Sequence, residues 1–211
     1  MMQLFGFWRS LATYRVRIAL NLKGIPIPET MIDLDRGEQD SPAFRRINPM
    51  GAVPALVLDD GTVLTQSMAI LEWLDETDSL PKLLPGDPVA RARARALCAI
   101  TVADAHPLVV PRVQRYLGAN WDEAARMDWN RHWFTRGLDA YEQQVGDRAF
   151  CCGEEPGLAD ICLASHIAGA QRFGVDLAPY PAVRRIDDAC CSMPEFRRAH
   201  PLRQPGAPTP G

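Results

Sequence analysis

Three short stretches combine residue types that handle anions and extended peptides. Ser10 ends a polar turn, Trp8-Arg9-Ser10, which follows an apolar strand and precedes a helix. Val53-Pro54 stands between a turn and a strand, where a cis peptide before proline would turn the preceding N–H and C=O outward to pair with an extended peptide. Gln66-Ser67 opens the next helix, so that a hydroxyl and first-turn N–H groups form a site for a carboxylate. Each stretch alone has a plainer explanation: a turn serine, a turn proline and a helix cap. Their succession along one strand, helix and strand makes each stronger than it is alone.

Such groups act only if a frame holds them. Gln3 to Phe7 reads as an apolar strand, Tyr14 to Lys23 as a helix closed by Gly24, and Pro26 to Leu34 as a second strand. A short helix is expected near Ser41 to Phe44, a hairpin around Asp59-Asp60-Gly61, and a helix from Ser67 to Glu76. Residues 77–87, with Pro81 and Pro85, read as a connection, after which the pattern becomes helical throughout. Ala94, Leu97, Cys98, Thr101, Val102, Ala105 and Leu108 form a buried stripe, and Pro107 and Pro111 should bend it. Further helices are expected from about Asp122 to Val145 and from Leu158 to Phe173, with Asp160 reaching back to the first-turn amides of the latter. The Pro-rich tail from Arg203 to Gly211 is expected to fray. The fold class is therefore an α/β domain over 1–80 followed by an all-α domain over 88–211.

Composition narrows the function. Among 211 residues, 47% are hydrophobic and 23% charged, ordinary for a folded enzyme or binding domain, and the net charge of -3 gives no footprint for nucleic acid. The first residues do not read as a signal peptide, and no stretch is expected to span a bilayer. Six cysteines include the adjacent pairs Cys151-Cys152 and Cys190-Cys191, unsuited to a disulfide framework, and are expected to be reduced, mostly buried thiols of a cytoplasmic protein. A metal site built from Cys151, Cys152 and His166 lacks ligand-pair spacing, so no metal is expected.

Taken together, the chain resembles the zeta-class glutathione transferases, the family of maleylacetoacetate and maleylpyruvate isomerases. The resemblance runs through Phe7-Trp8-Arg9-Ser10, Arg15 to Gly24, Asn48-Pro49-Met50, Val53 to Leu56, Thr65 to Ile70, Leu158 to Leu163, Arg172-Phe173, Val175-Asp176-Leu177 and Pro179-Tyr180-Pro181. It implies a thioredoxin-like first domain and an all-helical second one. It also implies that glutathione pairs with the backbone of Val53, before Pro54, and sets its γ-glutamyl carboxylate at Gln66 and Ser67. Gln39 matches a glutathione-contacting position, and the sulfur would face Ser10, where a hydroxyl and a helix N-terminus favour thiolate over thiol. In the family the thiolate adds to the cis double bond of a maleyl diketo acid, the enolate permits rotation, and elimination returns free glutathione. Arg9 and Arg172 match the guanidinium groups for the substrate's carboxylates, although a turn arginine and a helix C-terminal arginine also have ordinary surface roles. A homodimer is implied. Two other functions stand beside isomerisation: conjugation or dehalogenation of small electrophiles, and non-catalytic glutathione binding.

The chain departs from the family pattern at several points. Leu11 and Ala12 replace a serine and a cysteine of the thiol turn, leaving Ser10, Thr13 and backbone amides to hold the sulfur, with Thr13 the expected helix cap. Val109-Val110 replaces a polar pair, which makes the expected pocket more apolar. Gly157 stands where a capping hydroxyl is usual. The four histidines are expected to be structural or exposed.

Overall fold

A computed structural model describes residues 1–77 and 80–208; Asp78 and Ser79 of the expected connection, and residues 209–211 of the expected frayed tail, lie outside the described residues. The chain forms two compact units, Met1–Pro81 together with Met193–Gly211, and Lys82–Ser192.

The first unit begins with β1 (Gln3–Gly6), α1 (Leu11–Leu22), β2 (Glu29–Met31), α2 (Pro42–Ile47), β3 (Ala55–Val57), β4 (Val63–Thr65) and α3 (Ser67–Glu76). Its sheet runs β2-β1-β3-β4, with β1 parallel to β2 and antiparallel to β3, and β3 antiparallel to β4. β2 is much shorter than the expected Pro26 to Leu34. Pro26 and Pro28 have no N–H to give to a ladder, so pairing starts where the carbonyl of Pro28 accepts from Leu4 (3.0 Å) and Glu29 lies opposite Leu4. Leu4, Val16, Ile18, Leu56, Ile70, Leu71 and Leu74 form the buried core between sheet and helices.

The second unit is all helical: α4 (Pro88–Ala99), α5 (His106–Val109), α6 (Pro111–Gly118), α7 (Glu123–Gln144), α8 (Leu158–Arg172) and α9 (Pro181–Ser192). Between α4 and α5 the helix widens into a π-turn over Ile100–Ala105, directly ahead of Pro107, and it breaks at Val110, ahead of Pro111. The expected bend thus has two parts. Contrary to expectation, the stretch Pro88–Gly118 is long and apolar enough to cross a membrane by length and composition alone. Its Ala94, Leu97, Cys98, Thr101 and Ala105 are buried within the unit. Tyr141 anchors that core from α7, its hydroxyl donating to the carbonyl of Leu97 (2.8 Å).

α8 starts as expected. Asp160 is fully buried and accepts from the amides of Cys151 (2.7 Å) and Gly157 (2.9 Å). Burial pushes its carboxyl above the usual range while those two amides pull it down. Gly157 also acquires a reason: a Cβ there would meet the carbonyl oxygen of Leu83 at 2.7 Å, so no capping side chain fits. Asp160→Ala leaves the buried amide of Cys151 and the part-buried amide of Gly157 unsatisfied, and we expect it to cost about 2–4 kcal/mol. A thermal melt should fall by roughly 5–15 °C.

α10 (Pro194–Ala199) and a 3₁₀ turn at Pro201–Arg203 return to the first unit. The all-helical domain expected to run to 211 therefore ends, by packing, at Ser192. Asn21 of α1 donates to the carbonyl of Glu195 (2.8 Å), and the His200 ring meets Tyr14 edge-on at 5.8 Å. Nor is the described part of the tail frayed, since Gly206 lies against Met31 and Trp8.

The thiols are sequestered more than exposed. Cys98, Cys151, Cys162 and Cys190 are buried, Cys152 is half-buried and Cys191 exposed, all as free cysteines. A hydrogen bond with Cys162 and burial push the Cys98 thiol up, and burial raises Cys152 to about 11. His166 Nε2 lies 2.8 Å from the carbonyl of Phe134; a carbonyl only accepts, so Nε2 carries the proton.

Candidate active site

The turn between β1 and α1 closes on itself, with the amide of Ser10 donating to the carbonyl of Phe7 (3.0 Å). Ser10, and not Thr13, is the helix cap: its backbone is extended and its Oγ accepts from the amide of Thr13 (3.2 Å). A hydroxyl that accepts from the helix has its own hydrogen left to give outward. The amides of Leu11 and Ala12, in the first helical turn, have no carbonyl of the helix to pair with, and no acidic residue occupies that turn. A hydroxyl donor and a positive helix end therefore meet at one point. Thr13 has no part in it, because it is fully buried with its methyl facing Gly6, 2.5 Å from where a Cβ there would lie.

The second stretch repeats this polarity at the start of α3. Ser67 Oγ accepts from two nitrogens of Arg15, Nε (3.1 Å) and an Nη (2.9 Å), leaving its hydrogen to donate. Both residues are almost fully buried, at 5% and 2% exposure. Gln66, the residue before the helix, has φ 67° and ψ 118°, the sole non-glycine with positive φ among the described residues. Such a conformation costs of order 1–3 kcal/mol and concentrates at ligand sites.

Val53-Pro54 is cis, as expected. Among the described residues neither the amide nor the carbonyl of Val53 has a hydrogen-bond partner. Asn48 holds the preceding turn, donating to the carbonyl of Ala52 (2.6 Å) and accepting from Met50 (3.1 Å). Val53 packs in one cluster with Phe7, Phe44 and Ala55, against which Trp8 also lies, so the β1–α1 turn and the unpaired backbone share a floor.

Two expected residues are placed differently from a bare reading of their sequence positions. Gln39 is 3% exposed in a 3₁₀ turn, its Nε2 donating to Asp40 (3.0 Å) and its Oε1 buried without a partner among the described residues. Arg9 forms an ion pair with Asp35 and lies over the Phe7 ring at 5.3 Å, so a carboxylate arriving there competes with Asp35. Arg172 belongs to the second unit, in the last turn of α8, with its guanidinium 5.7 Å from the Phe173 ring. Ser10, Val53, Gln66, Ser67 and Gln39 all belong to the first unit: Ser10 and Gln66-Ser67 at the starts of α1 and α3, Val53 just ahead of β3, and Gln39 in the 3₁₀ turn ahead of α2.

Sequence reasoning passed over Arg15 and Arg17. Both are buried on α1, at 2% and 7% exposure, among Val16, Ile18, Ala19 and Leu20. Arginines inside so apolar a helical run are the signal, because charged groups are seldom buried without a partner.

Known proteins share this arrangement along the whole chain. The family models for the glutathione S-transferase N-terminal and C-terminal domains match residues 9–77 and 133–186. A maleylacetoacetate isomerase of Pseudomonas aeruginosa is 44% identical, with 98% of this chain and 99% of that protein covered. A maleylpyruvate isomerase of a Ralstonia species is also 44% identical, covering 97% and 99%. The crystal structure of maleylacetoacetate isomerase from Methylobacterium extorquens AM1, with malonate and glutathione bound, superposes with a TM-score of 0.95 at 46% identity, over 98% of this chain and 100% of that one. With both family domains matched and these relatives similar over nearly the full length, the chain belongs to the glutathione S-transferase family, in the zeta class that holds the maleylacetoacetate and maleylpyruvate isomerases.

Proposed function

We propose that this protein is a glutathione-dependent cis–trans isomerase of maleyl diketo acids, maleylacetoacetate or maleylpyruvate. The observation that carries this reading is the Ser10 hydroxyl, whose oxygen accepts from the amide of Thr13 and whose hydrogen is left to donate. The unpaired backbone of Val53 and the buried Ser67 hydroxyl fit an extended tripeptide with a carboxylate at one end. Bound glutathione supplies a thiolate that adds reversibly to the cis double bond, so that the two carbons rotate about a single bond before the thiolate leaves. The chain's own residues do the rest. Ser10 and the first-turn amides of α1 hold the sulfur as an anion. Val53 pairs with the peptide, Gln66 and Ser67 hold the γ-glutamyl carboxylate, and Gln39 contacts the tripeptide after a shift that uncovers its amide. Arg9 and Arg172 are the guanidinium groups for the substrate's carboxylates, suited to them by their planar forks.

The same reading makes the enzyme a cytoplasmic homodimer in the breakdown of aromatic compounds, supported by the family resemblance and by six cysteines that remain thiols. The apolar Leu11, Val109 and Val110 favour a second reading, conjugation or dehalogenation of small electrophiles. One assay separates the two: maleylpyruvate or maleylacetoacetate with substoichiometric glutathione, followed by absorbance while free thiol is titrated. Isomerisation gives many turnovers per glutathione and no loss of thiol. Loss of one thiol per substrate consumed would overturn it.

A further inference from the structure

Arg17 is buried on α1 yet reaches the thiol turn twice. Its Nη groups donate to the carbonyls of Trp8 and Phe7, each at 3.2 Å. It also donates to Glu29 of β2, through Nε (2.8 Å) and Nη (2.5 Å), a bidentate pair. Gly6 makes this reach possible: a Cβ there would lie 2.3 Å from Glu29 Oε1. Three elements, β1, α1 and β2, therefore meet in one clamp.

The clamp sets the direction of the turn's peptide dipoles. These peptides are trans, so each N–H points opposite to the carbonyl it follows. With the oxygens of Phe7 and Trp8 drawn toward Arg17, the amides of Trp8 and Arg9 face the other way, and among the described residues neither has a partner. Phe7 also receives the amide of Ser10, so the carbonyl that Arg17 holds is the one that closes the turn. Resting on the thiolate reading above, we infer that Arg17, neutralised and oriented by Glu29, is a positioning residue: it holds the Phe7–Ser10 turn so that the Ser10 hydroxyl and the free amides point at the sulfur.

Glu29→Gln keeps volume while removing the charge that orients Arg17. A cavity of about 220 Å³ borders the pair, lined in part by Asn21, Arg198 and Gln204, so water can replace the lost contact. Gly6→Ala displaces the same carboxylate from the strand side, and Arg17→Lys keeps the charge but loses the fork. The measurements are the pH profile of kcat/KM, the ultraviolet difference absorbance of bound glutathione, and glutathione affinity by calorimetry. For Glu29→Gln and Gly6→Ala we expect the thiol midpoint to rise by about one unit, which lowers kcat/KM up to about tenfold at pH below both midpoints and leaves it unchanged well above them, with affinity changed by less than about threefold. Arg17→Lys should do the same or more. A profile lowered equally at all pH values, or affinity falling in step with activity, would show the clamp to be merely structural. If wild-type protein shows a depressed midpoint that none of the three variants moves, this inference alone fails; if wild-type shows no depression, the thiolate reading fails with it.

Discussion

Replacing Ser10 by alanine is expected to lower kcat about 10²–10³-fold, the usual loss when one preorganised donor to a developing anion is removed. The same hydroxyl caps α1 by accepting from Thr13, so the variant should also lose about 1 kcal/mol of stability. A second substitution separates these effects. Aspartate is a good N-cap, so Ser10→Asp should restore the melting temperature, while its negative charge beside the sulfur raises the thiol pKa and leaves activity at least as low as in the alanine variant. Steady-state kinetics and thermal melts on both proteins are the check. Recovery of activity together with stability in Ser10→Asp would mean that Ser10 acts only as a cap.

Ser67→Ala should divide the kinetic parameters the other way. The Ser67 hydroxyl is oriented by Arg15 and faces a ligand carboxylate in the proposed complex, far from the reacting bond. Loss of a hydrogen bond to a charged group is worth about 1.5–3 kcal/mol, which corresponds to a rise in glutathione Kd of about 10–150-fold, with kcat nearly unchanged. The variant should also melt earlier, because buried Arg15 loses the oxygen that two of its nitrogens share. Calorimetric titration with glutathione measures the first effect directly. An affinity within about twofold of wild type would remove Ser67 from the binding site.

How far these features could be read from the chain differs by kind. Periodicity and turn chemistry located β1, the hairpin around Gly61, α3, α7 and α8 to within a residue or two, because each is ruled by local rules. The cis Val53-Pro54 bond and the helix start at Gln66-Ser67 were legible for the same reason. What escaped depends on contacts between distant segments. Which of Ser10 and Thr13 caps α1 is decided by Thr13 packing under Gly6, and no local propensity reports that. The shortness of β2 was within reach, since Pro26 and Pro28 alternate where a ladder needs donors. The placement of the C-terminal segment was not. α10 is short, and its ties to Asn21 and Tyr14 span almost the full length of the chain. Arg15 and Arg17 look like the polar face of an ordinary helix until Ser67 and Glu29 arrive from elsewhere.

Arg9 shows the opposite case, a residue whose sequence position suggested one partner while the structure supplies another. Asp35 holds its guanidinium at the rim of the thiol turn. An exposed pair of this kind is worth little, about 0–1 kcal/mol, so a dicarboxylate can displace Asp35 at small cost.

The most direct measurement is the thiol pKa of bound glutathione, read from thiolate absorbance near 240 nm as pH is raised, in wild-type protein and in Ser10→Ala. Wild type should show a midpoint well below the free-thiol value of about 8.5, and the alanine variant one that returns most of the way to it. Equal midpoints in the two proteins would contradict the account, whatever the turnover numbers were.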